Sequence, residues 1–222
     1  MLTVLQEKMN IIWDLDGTIL DVKTRYYAIY KNFLEKRNKK PLSIHKYWKL
    51  MRAKIYPGDL LERSDFRNSL TEYKSDLSKY RECWDFLKMD KLQINAYELL
   101  NSFQKNHTQY LLTLRTNRKT LIKQLKYLKI YNFFETVLNA KNIEVENFRN
   151  KVVIIKKADL DKENGILIGD TPTEVKCAKE LGWVSVIISE GIANENLIKA
   201  SRPTYFLKSL KEFDKVKDIL FL

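Results

Sequence analysis

From Gln109 onward the chain alternates short apolar runs with single helical stretches, and this alternation constrains the fold more than any other feature. Gln109 to Thr113, Thr136 to Leu138, Gly165 to Ile168 and Val184 to Ile188 read as strands, bounded by turn residues. Thr120 to Leu128 and Pro172 to Leu181 read as helices between them. Strands joined by single helices form βαβ units, which require a parallel sheet covered on both faces and right-handed crossovers. Met9 to Trp13 supplies an earlier strand, Ala96 to Asn106 a helix before Gln109, and Tyr205 to Leu207 a last edge strand, with a closing helix to Leu222. The predicted fold class is α/β, with a doubly wound, Rossmann-like parallel sheet.

One long segment interrupts this pattern. Tyr26, Tyr30, Phe33 and Leu34 recur at helical spacing, as do Ile44, Tyr47, Trp48 and Met51 after Ser43, a good N-cap. Beyond a break at Pro57-Gly58, Phe66, Leu70, Tyr73, Leu77, Tyr80, Trp84 and Leu87 form one stripe, predicting one long helix or two stacked end to end. Such stripes are core. The predicted organisation is a core of residues 1–21 and 93–222 with an inserted α-helical domain at 22–92.

Composition narrows the class further. With 222 residues, 45% hydrophobic and 12% aromatic, the chain carries enough apolar bulk for a real core. The net charge of +12 admits nucleic acid or an anionic surface as partner, but the cations interleave with 28 acids and form no tail, so a solvated face is the preferred reading. Cys83 and Cys177 lie far apart with no metal-type spacing, which favours a reducing compartment without disulfides. No apolar run approaches the ~20 residues that span a bilayer, and the first ten residues are too polar for a signal peptide. A cytoplasmic location is expected. The oligomeric state leaves no mark.

In open α/β sheets ligands bind beyond the carboxyl ends of the strands. Asp14 and Asp16 follow the first strand, Thr113 ends the second, and Asp170 follows the Gly165 strand. Groups far apart in sequence therefore converge on one crevice. Carboxylates at i and i+2 share a side, and crowding separates their roles: one can be a nucleophile while the other remains available as acid and base. An isolated Asp-x-Asp-Gly would be an ordinary turn; the convergence of the other positions argues for a site.

Trp13-Asp14-Leu15-Asp16-Gly17-Thr18 resembles the first motif of the haloacid dehalogenase superfamily of phosphatases. Thr113, closing Tyr110-Leu111-Leu112-Thr113, resembles the second motif, Lys151 the third, and Gly169-Asp170-Thr171-Pro172-Thr173-Glu174 the fourth. The inserted helices sit where the phosphoglycolate phosphatase and β-phosphoglucomutase-like branch carries its cap. The resemblance implies that Asp14 attacks phosphorus and becomes aspartyl-phosphate. It implies that Asp16 protonates the leaving oxygen and then activates water. Thr113, the backbone N–H of Leu114, and Lys151 would hold phosphoryl oxygens. Mg²⁺ would be held by the carboxylates of Asp14 and Asp170 and the carbonyl of Asp16. Asp16 favours phosphate esters over haloacids, because an alkoxide needs a proton to leave and a halide does not.

Two positions stay open at this level. Glu174 stands where Asp is usual, so it either supports the metal or completes a Thr171-Pro172-Thr173-Glu174 capping box, or both. Lys151, placed after Asn150 as a plausible N-cap, competes with Lys141, Lys156 and Lys157, and Val152 to Ile155 also reads as strand. Arg52, Lys54 and Arg63 flank the Pro57-Gly58 break, where a specificity loop could enter the site, and Arg115 follows Thr113. For these four a solvated cation is the competing reading. His45 and His107 are read as ordinary surface or core residues. The expected activity is hydrolysis of a small soluble phosphomonoester. A phosphosugar mutase is the alternative with the same chemistry, and a nucleic-acid-binding protein on an idle scaffold the alternative of another class.

Overall fold

The computed structural model describes residues 10–55, 57–66, 69–141, 148–160 and 164–220. The first strand, β1 (Asn10–Trp13), is followed by a short strand β2 (Leu20–Asp21). Five helices come next: α1 (Lys23–Glu35), α2 (Ile44–Arg52), α3 (Pro57–Glu62), α4 (Leu70–Tyr80) and α5 (Trp84–Leu87). The chain returns through β3 (Lys91–Leu92), α6 (Ala96–Phe103), β4 (Thr108–Thr113), α7 (Arg118–Tyr127) and β5 (Thr136–Asn139). It ends with α8 (Phe148–Lys157), β6 (Gly165–Gly169), α9 (Pro172–Leu181), β7 (Val184–Ile188), α10 (Glu195–Ser201), β8 (Tyr205–Leu207) and α11 (Asp214–Leu220).

Six strands form one parallel sheet in the order β5-β4-β1-β6-β7-β8. Its strands are apolar on both faces because both are covered. Ile11, Trp13, Leu111, Ile166 and Ile168 face one layer with α6, α7 and the C-terminal segment. Ile12, Leu112 and Leu167 face the other with α8 and α9. The indole N–H of the buried Trp13 donates to Gln109 Oε1 at 2.9 Å, so a large apolar ring is buried without an orphaned donor. The chain runs from β1 out to β4 and β5, then crosses back to β6 on the other side of β1. This reversal leaves a crevice at the carboxyl end of β1, where such sheets bind ligands.

The helical insertion has its own apolar cluster, in which Tyr30, Phe33, Leu34, Tyr47, Leu60, Leu61 and Tyr73 are buried. Tyr30 and Tyr47 stack with centroids 4.6 Å apart. Ser43 caps α2 as its sequence suggested, accepting from the Lys46 N–H. The expectation of helix throughout the segment needs two corrections. Lys91–Leu92 is a strand, pairing antiparallel with Leu20–Asp21 so that a two-stranded ribbon carries the chain in and out. The Phe66–Leu87 stripe is not continuous helix: Phe66 precedes α4, and a turn at Arg81–Cys83 separates α4 from α5. That turn brings Arg81 and Glu82 to the crevice, a tertiary demand that helical periodicity does not encode.

Asn150 lies inside α8 rather than capping it, and Val152 to Ile155 are helical. Met9 and the last two residues of the predicted closing helix, 221–222, lie outside the described residues. Cys83 and Cys177 are both free thiols. Among the described residues no helix is long and apolar enough to cross a membrane.

Candidate active site

A cleft of about 340 Å³ opens at the carboxyl ends of β4, β1 and β6, between the sheet and the helical insertion. The sheet brings Asp14, Asp16, Thr113, Leu114, Lys151, Asp170 and Glu174 to its walls. Asp14 follows β1 directly, and its N–H donates to the Ile168 carbonyl at 2.9 Å, so β6 fixes its height. Thr18 ties the first and fourth motifs together: its hydroxyl lies 3.2 Å from Asp14 Oδ2 and 3.1 Å from Asp170 Oδ1. Gly17 is required here. Its φ is +93°, and a Cβ built on it would collide with the Asp170 carboxylate. Gly191 is needed for the same close approach to Asp170, whose Oδ2 accepts from the Ile192 N–H at 2.5 Å.

Lys151 sits one turn into α8, on the buried stripe it shares with Val152 and Ile155. Its ammonium donates to Asp14 Oδ1 and, at 2.6 Å, to Glu174 Oε1. The competing lysines Lys141, Lys156 and Lys157 are exposed. Burial would lower the Lys151 pKa, but Asp14 and Glu174 outweigh it and hold the ammonium charged far above the usual range. Glu174 does complete the capping box: Thr171 Oγ1 accepts from the Thr173 N–H, while Glu174 Oε2 accepts from the Thr171 N–H at 3.0 Å. The same carboxylate thus caps α9 with one oxygen and anchors Lys151 with the other.

Burial dominates the electrostatics of the other acids. It pushes the Asp14 carboxyl up to about 7, against the pull of Lys151 and with the push of Glu174. Burial, then Asp14 and Glu174, raise Asp170 well above the ordinary carboxylate range. Asp16 behaves in the opposite way. Burial alone would raise it, but the guanidiniums of Arg115 and Arg25 hold it well below the usual range. Arg115 grips it in bidentate fashion, Nε to Oδ2 at 2.7 Å and Nη2 to Oδ1 at 2.5 Å, and Arg25 Nη2 donates to Oδ1 as well. Three guanidinium N–H donors thus hold Asp16 on the cleft wall, where its side chain stays 19% exposed.

The four cations singled out as specificity residues separate clearly. Lys54 lines the cleft. Arg115 does too, but it is buried against Asp16 and is not a solvated loop residue. Arg52 does not line the cleft; its Nη2 donates to the Ser189 and Ala193 carbonyls and binds the insertion to the sheet. Arg63 is exposed on α3's far end and stands apart from the cleft. His45 is exposed and His107 buried, both away from the cleft. Sequence reasoning missed Arg25, Asp90, Gln124 and Glu82. The one available signal was Arg25, a charged residue facing inward beside the apolar stripe of α1.

A family model for haloacid dehalogenase-like hydrolases matches residues 11–188. The chain belongs to this family. It is 22% identical over 213 residues to a protein provisionally named pyrophosphatase PpaX from Caldanaerobacter subterraneus subsp. tengcongensis, covering 93% of each chain. A provisionally assigned phosphatase from Clostridium difficile has a similar structure, with a TM-score of 0.75 and 23% identity over 96% of this chain and 98% of that one. YfnB from Bacillus subtilis, provisionally assigned as a hydrolase, is also similar, with a TM-score of 0.66 and 16% identity over 95% of this chain and 99% of that one.

Proposed function

We propose that the protein hydrolyses a small soluble phosphomonoester through an aspartyl-phosphate on Asp14. The observation that carries this reading is the buried Lys151 ammonium on Asp14 Oδ1, with the hydroxyl of Thr18 joining Asp14 to Asp170. Phosphoryl transfer needs little covalent chemistry from a protein beyond a placed nucleophile and neutralisation of the phosphoryl charge. Asp14 supplies the nucleophilic oxygen. Lys151, Thr113 and the Leu114 N–H, all on the cleft wall, would take the phosphoryl oxygens. Asp16, once off its arginines, would take up a proton from water in the cleft, deliver it to the leaving oxygen as the phosphorus–oxygen bond breaks, and then take one from the water that cleaves the intermediate.

The residues also fit a magnesium ion. Asp14, Asp170 and Glu174 are buried carboxyl groups with one buried ammonium, on Asp14 and Glu174, to balance them, so a cation is needed for all three to be ionised together. Among the described residues no three His, Cys, Asp or Glu side chains gather closely enough to hold a metal ion by themselves. Two carboxylates with a carbonyl suit Mg²⁺, which keeps several waters and takes one or two carboxylates. Asp14, Asp170 and the Asp16 carbonyl would hold it, with Glu174 behind them. Bound there, Mg²⁺ would neutralise phosphoryl charge and keep the buried carboxylates ionised. The similar Bacillus subtilis protein is described with magnesium bound.

The test is hydrolysis of 4-nitrophenyl phosphate with Mg²⁺ and with a chelator. Turnover is expected only with the metal, and Asp14→Asn is expected to lose about 10³-fold or more, as removal of a nucleophile does. Full activity in a folded Asp14→Asn protein would overturn the reading.

A further inference from the structure

Behind Asp16 lies a buried charge network that the proposed reaction does not use. Arg25 of α1 and Arg115 after β4 are 1% and 5% exposed. Two carboxylates balance them, Asp16 on the cleft side and Asp90 behind, the latter with a completely buried side chain. Arg25 Nε stands 3.2 Å from Asp90 Oδ1, and Arg115 Nη2 stands 3.5 Å from Asp90 Oδ2. Gln124 of α7 locks the back of the network. Its Nε2 donates to Asp90 Oδ2 at 2.9 Å and to the Leu87 carbonyl at 2.6 Å, while its Oε1 accepts from Arg115 Nη1 at 2.5 Å. Arg25 Nη1 donates to the Arg81 carbonyl at 2.7 Å.

The hydrogen bonds are shared unequally. Asp16 takes three guanidinium bonds. Arg25 Nε and Asp90 Oδ1 face each other, yet both are buried without a hydrogen bond. Native proteins rarely leave such atoms unmet, and a small rotation of the Arg25 guanidinium would join them. Buried guanidiniums cannot be left without a counter-charge at acceptable cost. A leaving oxygen would compete with three guanidinium bonds for the Asp16 carboxyl. Something must keep the arginines when it turns.

We propose that Asp90, fixed by Gln124, is a positioning residue: it receives the Arg25 and Arg115 guanidiniums when the Asp16 side chain turns to the substrate. This rests on the reading of Asp16 as the proton donor to the leaving oxygen. Asp90 touches neither substrate nor phosphorus; it acts through the arginines. Without it, Asp16 is the one carboxylate of this network left to both cations, which withhold it from the leaving group.

The test measures kcat/KM, which reports steps through departure of the leaving group, on a series of phosphate monoesters from activated aryl to simple alkyl. Wild type, Asp16→Asn, Asp90→Asn and Gln124→Met are compared in the presence of Mg²⁺, each with a thermal melt. Asp16→Asn is expected to lose far more on alkyl than on aryl esters, since acid assistance is worth ~10²–10⁴-fold only where the leaving group needs it. Asp90→Asn is expected to follow the same slope, its alkyl loss exceeding its aryl loss by about tenfold or more. Gln124→Met keeps all four charges and loses only the lock, so it carries the test if Asp90→Asn does not fold; the same slope in smaller degree is expected. Equal losses across the series in the folded variants, or none, would overturn the proposal while leaving the role of Asp16 intact. A flat series for Asp16→Asn would instead remove the proton-donor reading, and this proposal with it.

Discussion

Glu174 shows how much one side chain can carry. Its two oxygens serve different partners, Lys151 on one side and the Thr171 N–H and hydroxyl on the other. A glutamine has one accepting oxygen, so Glu174→Gln must abandon one of these partners or turn an amide N–H toward an ammonium. The expected result is a loss of about 10–100-fold in kcat on an aryl phosphate, the usual scale for residues supporting a charged centre. Steady-state kinetics beside a thermal melt check it, and an unchanged kcat would leave Glu174 as a helix cap alone. The capping half of this role was legible, because Thr-x-x-Glu with Pro at the first helical position is a local pattern. The Lys151 half was not, because it joins α8 to α9 through space. Asp14, Asp16 and Asp170 were legible for a related reason: each follows an apolar strand, and parallel strands deliver their ends to one edge. Arg25, Asp90 and Gln124 carry no such address; only packing assembles them.

At the scale of elements, two clasps outside the Asp16 network also join the insertion to the sheet. Glu82, in the turn after α4, accepts from the N–H groups of Thr116 and Asn117 at 3.0 and 2.7 Å, just ahead of α7. Arg52, at the end of α2, donates to the Ser189 and Ala193 carbonyls and accepts the Asn194 N–H at 2.9 Å with its own carbonyl. The clasped loop also carries Ile192, whose N–H holds Asp170. Arg52→Ala is therefore expected to cost about 1–3 kcal/mol in denaturant unfolding, the range for lost charge-assisted hydrogen bonds. It is also expected to raise the Mg²⁺ concentration needed for half-maximal activity. Lys54→Ala, on the cleft wall, is expected to change the ranking of natural phosphate esters with little change in stability. A shifted ranking in Arg52→Ala with normal stability would restore Arg52 to substrate contact. The strands and most helices were readable from periodicity to within a few residues. The β2–β3 ribbon and the Arg81–Cys83 turn were not, since two-residue strands have no period and the turn serves Glu82 and the Arg81 carbonyl.

The whole molecule stores unfavourable charge at the edge of its sheet, and pH reveals it. Asp14 rises from its ordinary 3.8 to about 7 because burial favours its neutral form. An acid with a raised folded pKa costs stability as pH rises between those values, because the unfolded chain releases its proton first. Metal-free protein is therefore expected to lose stability across that window. A cation must displace the proton, so Mg²⁺ binding strengthens as pH rises through about 7. Thermal melts at about pH 5 and about pH 8, with and without Mg²⁺, check this: the gain from Mg²⁺ is expected to be larger at the higher pH. An equal gain at both would mean that Asp14 is not among the ligands. The claim on which everything else depends is that Asp14 itself takes the phosphoryl group. Rapid acid quench of the enzyme turning over an aryl phosphate, followed by peptide mass spectrometry, tests it most directly. The account predicts one phosphoryl group on the peptide containing Asp14, at that residue, and none in Asp14→Asn. Turnover without any phosphorylated peptide, or with the group on another residue, would contradict it.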